Sequence, residues 1–87
     1  MISAKEAYKK YIDLIAENHK YKKTIKMIDY EINESANKGK CHVLINFDNY
    51  DEYIITKEII EYLEYYGYTV IHDKFCNYLS LRWEIIN

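Results

Sequence analysis

Along the first forty residues a stripe of mostly apolar positions recurs at alternating steps of four and three: Ala7, Tyr11, Leu14, Asn18, Tyr21, Ile25, Ile28, Ile32 and Ser35. That spacing places them on one side of an α-helix and has the form of a heptad seam, with Asn18 in its middle. Ser3-Ala4-Lys5-Glu6 fits a capping box, in which the Ser3 hydroxyl accepts from the Glu6 N–H and the Glu6 side chain returns to the Ser3 N–H. Gly39, after Ala36-Asn37-Lys38, is a natural C-terminal stop. Two arrangements satisfy the pattern. A single helix from 4 to 37 would be about 50 Å long at ~1.5 Å per residue, longer than so small a domain is wide, so its seam would need a partner chain. A break near Asn18-His19-Lys20 would instead give two helices packed on each other or on a sheet. Glu17–Lys23 holds only Tyr21 as an apolar residue, which supports a break. The expectation is a long or broken helical arm over 3–38 that self-associates. Tyr11, Leu14, Asn18, Tyr21, Ile25 and Ile28 are the expected oligomer seam.

After Lys40 the period changes to two. Cys41, Val43, Ile45 and Phe47 share one face of a strand, and His42, Leu44 and Asn46 share the other. An acidic loop, Asp48–Tyr53, leads to Thr56, the expected cap of a second helical unit, with Ile55 and Ile60 placed as a hydrophobic staple. Its buried stripe is expected to be Ile59, Leu63, Tyr66 and either Ile60 or Tyr62, with Glu58, Glu61 and Glu64 outward. Gly67 stops it. Tyr68–Asp73 and Tyr78–Ile85 then read as a hairpin around Lys74-Phe75-Cys76; Leu79, Leu81, Trp83 and Ile85 alternate with Tyr78, Ser80, Arg82 and Glu84. A right-handed strand–helix–strand connection makes the first two strands parallel, and the third fits between them, antiparallel to both. The predicted class is α+β, in the order α-β-α-β-β. It has a three-stranded mixed sheet, third strand central, with one packed helix. The predicted organisation is a single domain, 1–87, with a helical arm (3–38) and a β-α-β-β core (41–87).

Composition narrows the class further. No apolar run approaches the ~20 residues of a membrane span and no signal-peptide core is visible, so the expectation is a soluble protein of the cytoplasm, with no membrane partner. Cys41 and Cys76 are expected as free thiols. Residues 1–40 hold nine Lys against six acids, whereas 41–87 hold three basic residues against eight acids. Such polarity suits an electrostatic partner or self-association better than direct nucleic-acid binding, which usually needs a basic chain. Abundant Ile, Lys, Tyr and Asn, with no Pro, suggest A/T-rich coding and temper any story built on the eleven tyrosines.

Candidate chemistry is sparse. His72 and Cys76 flank a turn and Cys41-His42 could complete a metal set, but the topology puts Cys41 at the start of one strand and His72 at the end of its parallel neighbour. Cys41 is read as a buried small hydrophobe and His72 as a turn residue, with no metal and no cofactor expected. A Cys–His pair without an orienting group or oxyanion site does not make a nucleophile, and the two isolated glycines make no phosphate loop, so no enzyme is expected. The acids and tyrosines from Asp48 to Tyr65 form the candidate partner-binding surface, with Tyr50, Tyr53, Glu58, Glu61, Tyr62 and Tyr65 as its residues. Lys20, Lys23 and Arg82 are candidate contacts for a nucleotide ligand.

One resemblance covers most of the chain. The opening Ile2-Ser3-Ala4-Lys5-Glu6-Ala7, the helix ending Ile28…Ile32…Ala36…Gly39, the run Leu63…Gly67-Tyr68-Thr69-Val70 and a last strand ending at Trp83 resemble a group of short phage and prophage proteins. The resemblance implies a viral or prophage origin and assigns no reaction. The expected function is non-enzymatic inhibition of a host protein, foremost a component of a bacterial defence system, in the manner of anti-CRISPR proteins. The alternatives are an oligomeric sponge for a nucleotide immune signal and a small virion structural or assembly protein.

Overall fold

In the computed structural model, which describes residues 1–47, 55–73, 75 and 77–84, the helical arm is two helices, α1 (Ala4–Glu17) and α2 (His19–Asn37). The single residue between them explains the break. Asn18 adopts extended backbone (φ −71°, ψ 124°); its N–H donates to the Ile15 carbonyl at 3.2 Å, and its side-chain oxygen accepts from the Lys20 N–H at 2.9 Å. It closes one helix and caps the next, satisfying end groups of both. At the other end of α1, Ser3 Oγ accepts from the Glu6 N–H at 3.1 Å, the first half of the expected capping box.

The break also splits the heptad run. α1 buries Ile12 and Ile15, whereas Leu14 of the expected seam is 64% exposed. α2 buries Tyr21, Thr24, Ile28 and Ile32, and Ile25 is half-buried against the same core. Tyr21, Ile25 and Ile28 are therefore spent inside the protomer. The continuous seam does not form.

The remaining elements are β1 (His42–Asn46), α3 (Lys57–Tyr65), β2 (Thr69–Asp73) and β3 (Tyr78–Arg82). β3 is central, in the order β1-β3-β2. Both hydrogen-bonded pairs are antiparallel; the outer strands run the same way but do not touch, so the pairing is purely antiparallel. Val43, Ile45, Leu79 and Leu81 are buried on one face, with Val70 half-buried beside them. α2 packs on β1 and α3 on β2, and α1 lies against both helices. His42, Leu44, Asn46, Thr69, Ile71, Asp73 and Arg82 stand exposed on the opposite face.

α2 and α3 end alike. Gly39 (φ +79°) and Gly67 (φ +97°) occupy the left-handed position after each helix. The Lys40 and Tyr68 N–H groups then reach back to the Ser35 and Leu63 carbonyls at 3.0 and 3.2 Å, completing a Schellman motif at each end. Two burial expectations need correction. Tyr66 is 53% exposed because it caps α3 instead of continuing its stripe, which consists of Ile59 and Leu63. Cys41 is exposed, since the strand starts one residue later. No helix among the described residues is long and apolar enough to cross a membrane.

Candidate partner-binding surface

Because α1 turns back at Asn18, its tyrosines meet those of α3. The Tyr8 and Tyr11 rings stack at 5.7 Å, and Tyr8 meets Tyr65 edge-on at 5.9 Å. Tyr65 meets Tyr66 at 5.3 Å, and Tyr66 meets Tyr62 at 5.1 Å. Five rings thus form one continuous chain across two helices. Tyr8, Tyr11 and Tyr66 remain well exposed within it. Such rings offer large contact area at little conformational cost, and aromatic pairs hold each other in place.

A hydrogen bond fastens the helices under this surface. The Tyr11 hydroxyl donates to Glu61 at 2.8 Å, while Lys57 lies 3.7 Å from the same carboxylate. The bond to Glu61, with burial second, pushes the Tyr11 phenol up to about 12. Glu58 is half-buried in the first turn of α3. Its carboxyl is held below the usual range by a backbone hydrogen bond at the helix start, then by the Thr56 hydroxyl, with help from the Tyr21 hydroxyl and Lys20. Thr56 itself makes no side-chain capping bond to the backbone of α3.

The structure therefore joins Glu61, Tyr62 and Tyr65 of the expected surface but directs Glu58 and Glu61 toward the helical arm. Tyr50 and Tyr53 lie outside the described residues. The sequence pattern put Tyr66 in the buried stripe and Tyr11 in the seam, and did not join Tyr8 to the surface of α3. The spacing of Tyr8 and Tyr11, three apart and one turn along a helix, was the available signal.

The candidate ligand residues do not converge. Lys20 stands over the Tyr21 ring at 5.5 Å, and Lys23 lines a shallow basic hollow with His19, Lys22 and Lys26. Arg82 pairs with His42, in the strand that follows the far end of α2, and faces the open side of the sheet. Roughly 20 Å of helix separates the two places. The candidate metal residues are similarly apart: the register sets His72 level with Leu79 and His42 level with Arg82, near opposite ends of the sheet. Cys76 lies outside the described residues. His72 is half-buried within β2, with its Nε2 unpartnered among the described residues, and so belongs to the strand, not the turn.

Comparison with protein families, with curated proteins and with solved structures finds no match to this chain.

Proposed function

We propose that this protein acts without catalysis, by binding another protein through the tyrosine surface of α1 and α3. The observation that carries the reading is the chain of five tyrosine rings, three of them well exposed, on a support fixed by the Tyr11–Glu61 hydrogen bond. Exposed aromatics on a rigid base are the side chains that dominate binding energy at protein interfaces. The resemblance to phage proteins makes the target a bacterial host protein, with a defence component the leading candidate and inhibition the outcome.

Affinity capture from bacterial lysate, followed by titration of the purified partner, tests this. Tyr8→Ala and Tyr66→Ala should each weaken the partner by about 30-fold, the effect of losing ~2 kcal/mol at a hot spot. A partner bound equally well by both variants would remove this surface from the mechanism. Failure to capture any specific partner would remove the mechanism itself.

A further inference from the structure

A groove runs beside the tyrosine chain, between α2 and the junction of α3 with β2. One part of it holds about 370 Å3, with Ile28, Ile32 and Asp29 on the α2 side and Tyr62, Tyr66 and Tyr68 opposite. A second hollow, about 470 Å3, shares Ile32, Tyr66 and Tyr68 and continues to Trp83. The volume is that of an ordinary ligand site, and three aromatic rings line the first part.

The charge in this groove is one-sided. Among the described residues Asp29 is the only charged side chain lining either hollow, and its carboxylate makes no ion pair or hydrogen bond with any of them. From Met27 to Asn37 α2 carries Asp29, Glu31 and Glu34 and no Lys or Arg. The C-terminal ends of α2 and α3 both border the groove, at Ala36 and Gly67, and neither helix has a basic residue in its last turn. The negative end of the α3 dipole is therefore left without a countercharge on its own side chains, whereas α2 carries Lys38 at its C-cap. Burial, together with the neighbouring Tyr66 and Asp29, raises the Tyr62 phenol, which keeps that wall neutral.

These features select the occupant. An apolar group would strip water from Asp29 and leave the carboxylate unpaired, at a cost that cancels much of the contact. An anion would meet the carboxylate and the uncompensated dipole end of α3. A cation on an apolar stem satisfies every wall at once. The planar guanidinium does so best, because it forks onto a carboxylate and stacks on aromatic faces.

We propose that this groove receives an arginine side chain of the partner protein, its guanidinium held between Asp29 and the tyrosine faces and its methylenes along Ile28 and Ile32. The assignment rests on the reading that the protein works by binding another protein. It can fail while that reading stands.

Titration of 15N-labelled protein with N-acetyl-arginine amide tests it without the partner. Saturable shifts are expected for the amides of residues 28–32 and 66–68. N-acetyl-citrulline amide, the neutral isostere, should bind at least fivefold more weakly, and Asp29→Asn should weaken the arginine probe to the same extent. The absence of saturable shifts, equal binding of the citrulline probe, or an unaltered Asp29→Asn titration would each overturn the proposal. Once a partner is in hand, its affinity should fall with Asp29→Asn as it does with Tyr8→Ala. A partner weakened by Tyr8→Ala but unaffected by Asp29→Asn overturns the arginine assignment alone.

Discussion

Replacing Asn18 with alanine removes the oxygen that accepts from the Lys20 N–H at 2.9 Å, while the backbone bond to Ile15 survives. Loss of such a cap costs about 1 kcal/mol. Alanine also raises helix propensity at the break by roughly 0.5 kcal/mol, so the substitution favours a straight arm on both counts. Straightening would have to pull Ile12 and Ile15, 0% and 5% exposed, out of the core. At ~1.5–3 kcal/mol for each buried side chain, that resists by about 3–6 kcal/mol. Core burial outweighs the local preference, so the bend persists in Asn18→Ala and the variant loses only the cap. Urea denaturation should register a loss of about 1 kcal/mol, with Tm lower by ~4–8 °C and the slope of the transition unchanged. The same arithmetic applies to Asn18→Leu, which completes the heptad pattern yet should scatter light with the mass of the wild type. A gain in mass for Asn18→Leu, or an unchanged midpoint for Asn18→Ala, would show that the bend is not held in this way.

Tyr11 titrates at about 12, raised from 10.0, so its folded form favours the neutral phenol. The stability this contributes is complete below pH ~10 and is lost as the pH rises through the folded value. Absorbance near 295 nm should show late-titrating tyrosines, of which Tyr11 moves down in Glu61→Gln while Tyr62, raised chiefly by burial, stays late. Glu58 has the opposite sign: its carboxyl is lowered, so its contribution is present above the ordinary value of ~4.3 and disappears as the pH falls through the folded one. Thermal melting should therefore separate Glu58→Gln from wild type at pH 7 and bring the two curves together near pH 2. Gly67→Ala meets no atom within 4 Å of its new Cβ but must hold φ at +97°, so denaturation should report a loss of ~1–2 kcal/mol from backbone conformation alone. Leu79, fully buried on the central strand, should cost ~2–5 kcal/mol when cut to alanine.

Much of the fold was legible because local chemistry and core pattern agreed. Gly39 and Gly67 sit where a left-handed residue ends each helix, and alternation in β1 and β3 sorts Val43, Ile45, Leu79 and Leu81 to the buried face. The arm was ambiguous for a physical reason. Its seven-residue period is compatible with a coiled coil, but Ile12 and Ile15, which α1 buries, lie one position away from the Tyr11 and Leu14 of that period. A stripe read through Asn18 assumes one continuous helical phase, and a capping asparagine resets the phase. The tyrosine surface was half legible. Tyr62 and Tyr65 follow from the flank of the Ile59–Leu63 stripe of α3, where both are half-buried, whereas the contribution of Tyr8 depends on a tertiary contact 57 residues away in sequence that no local pattern encodes.

That dependence ties the cap to the proposed function. The rings of Tyr8 and Tyr11 reach Tyr65 and Glu61 only because α1 reverses against α3; a straight arm would carry both tyrosines away from them. The aromatic surface is thus a product of the bend, and the bend is held by Ile12 and Ile15 more than by Asn18 itself. Binding should therefore survive Asn18→Ala, in which the core still anchors α1, with at most a small loss from the fraction of molecules whose arm has opened. Ile12→Ala acts on the anchor instead, and at ~2–5 kcal/mol it should release α1 without changing a single surface side chain. A partner that loses affinity with Ile12→Ala, under conditions where circular dichroism shows the sheet and α3 still folded, would be recognising the assembled surface. A partner indifferent to Ile12→Ala would be reading α3 alone.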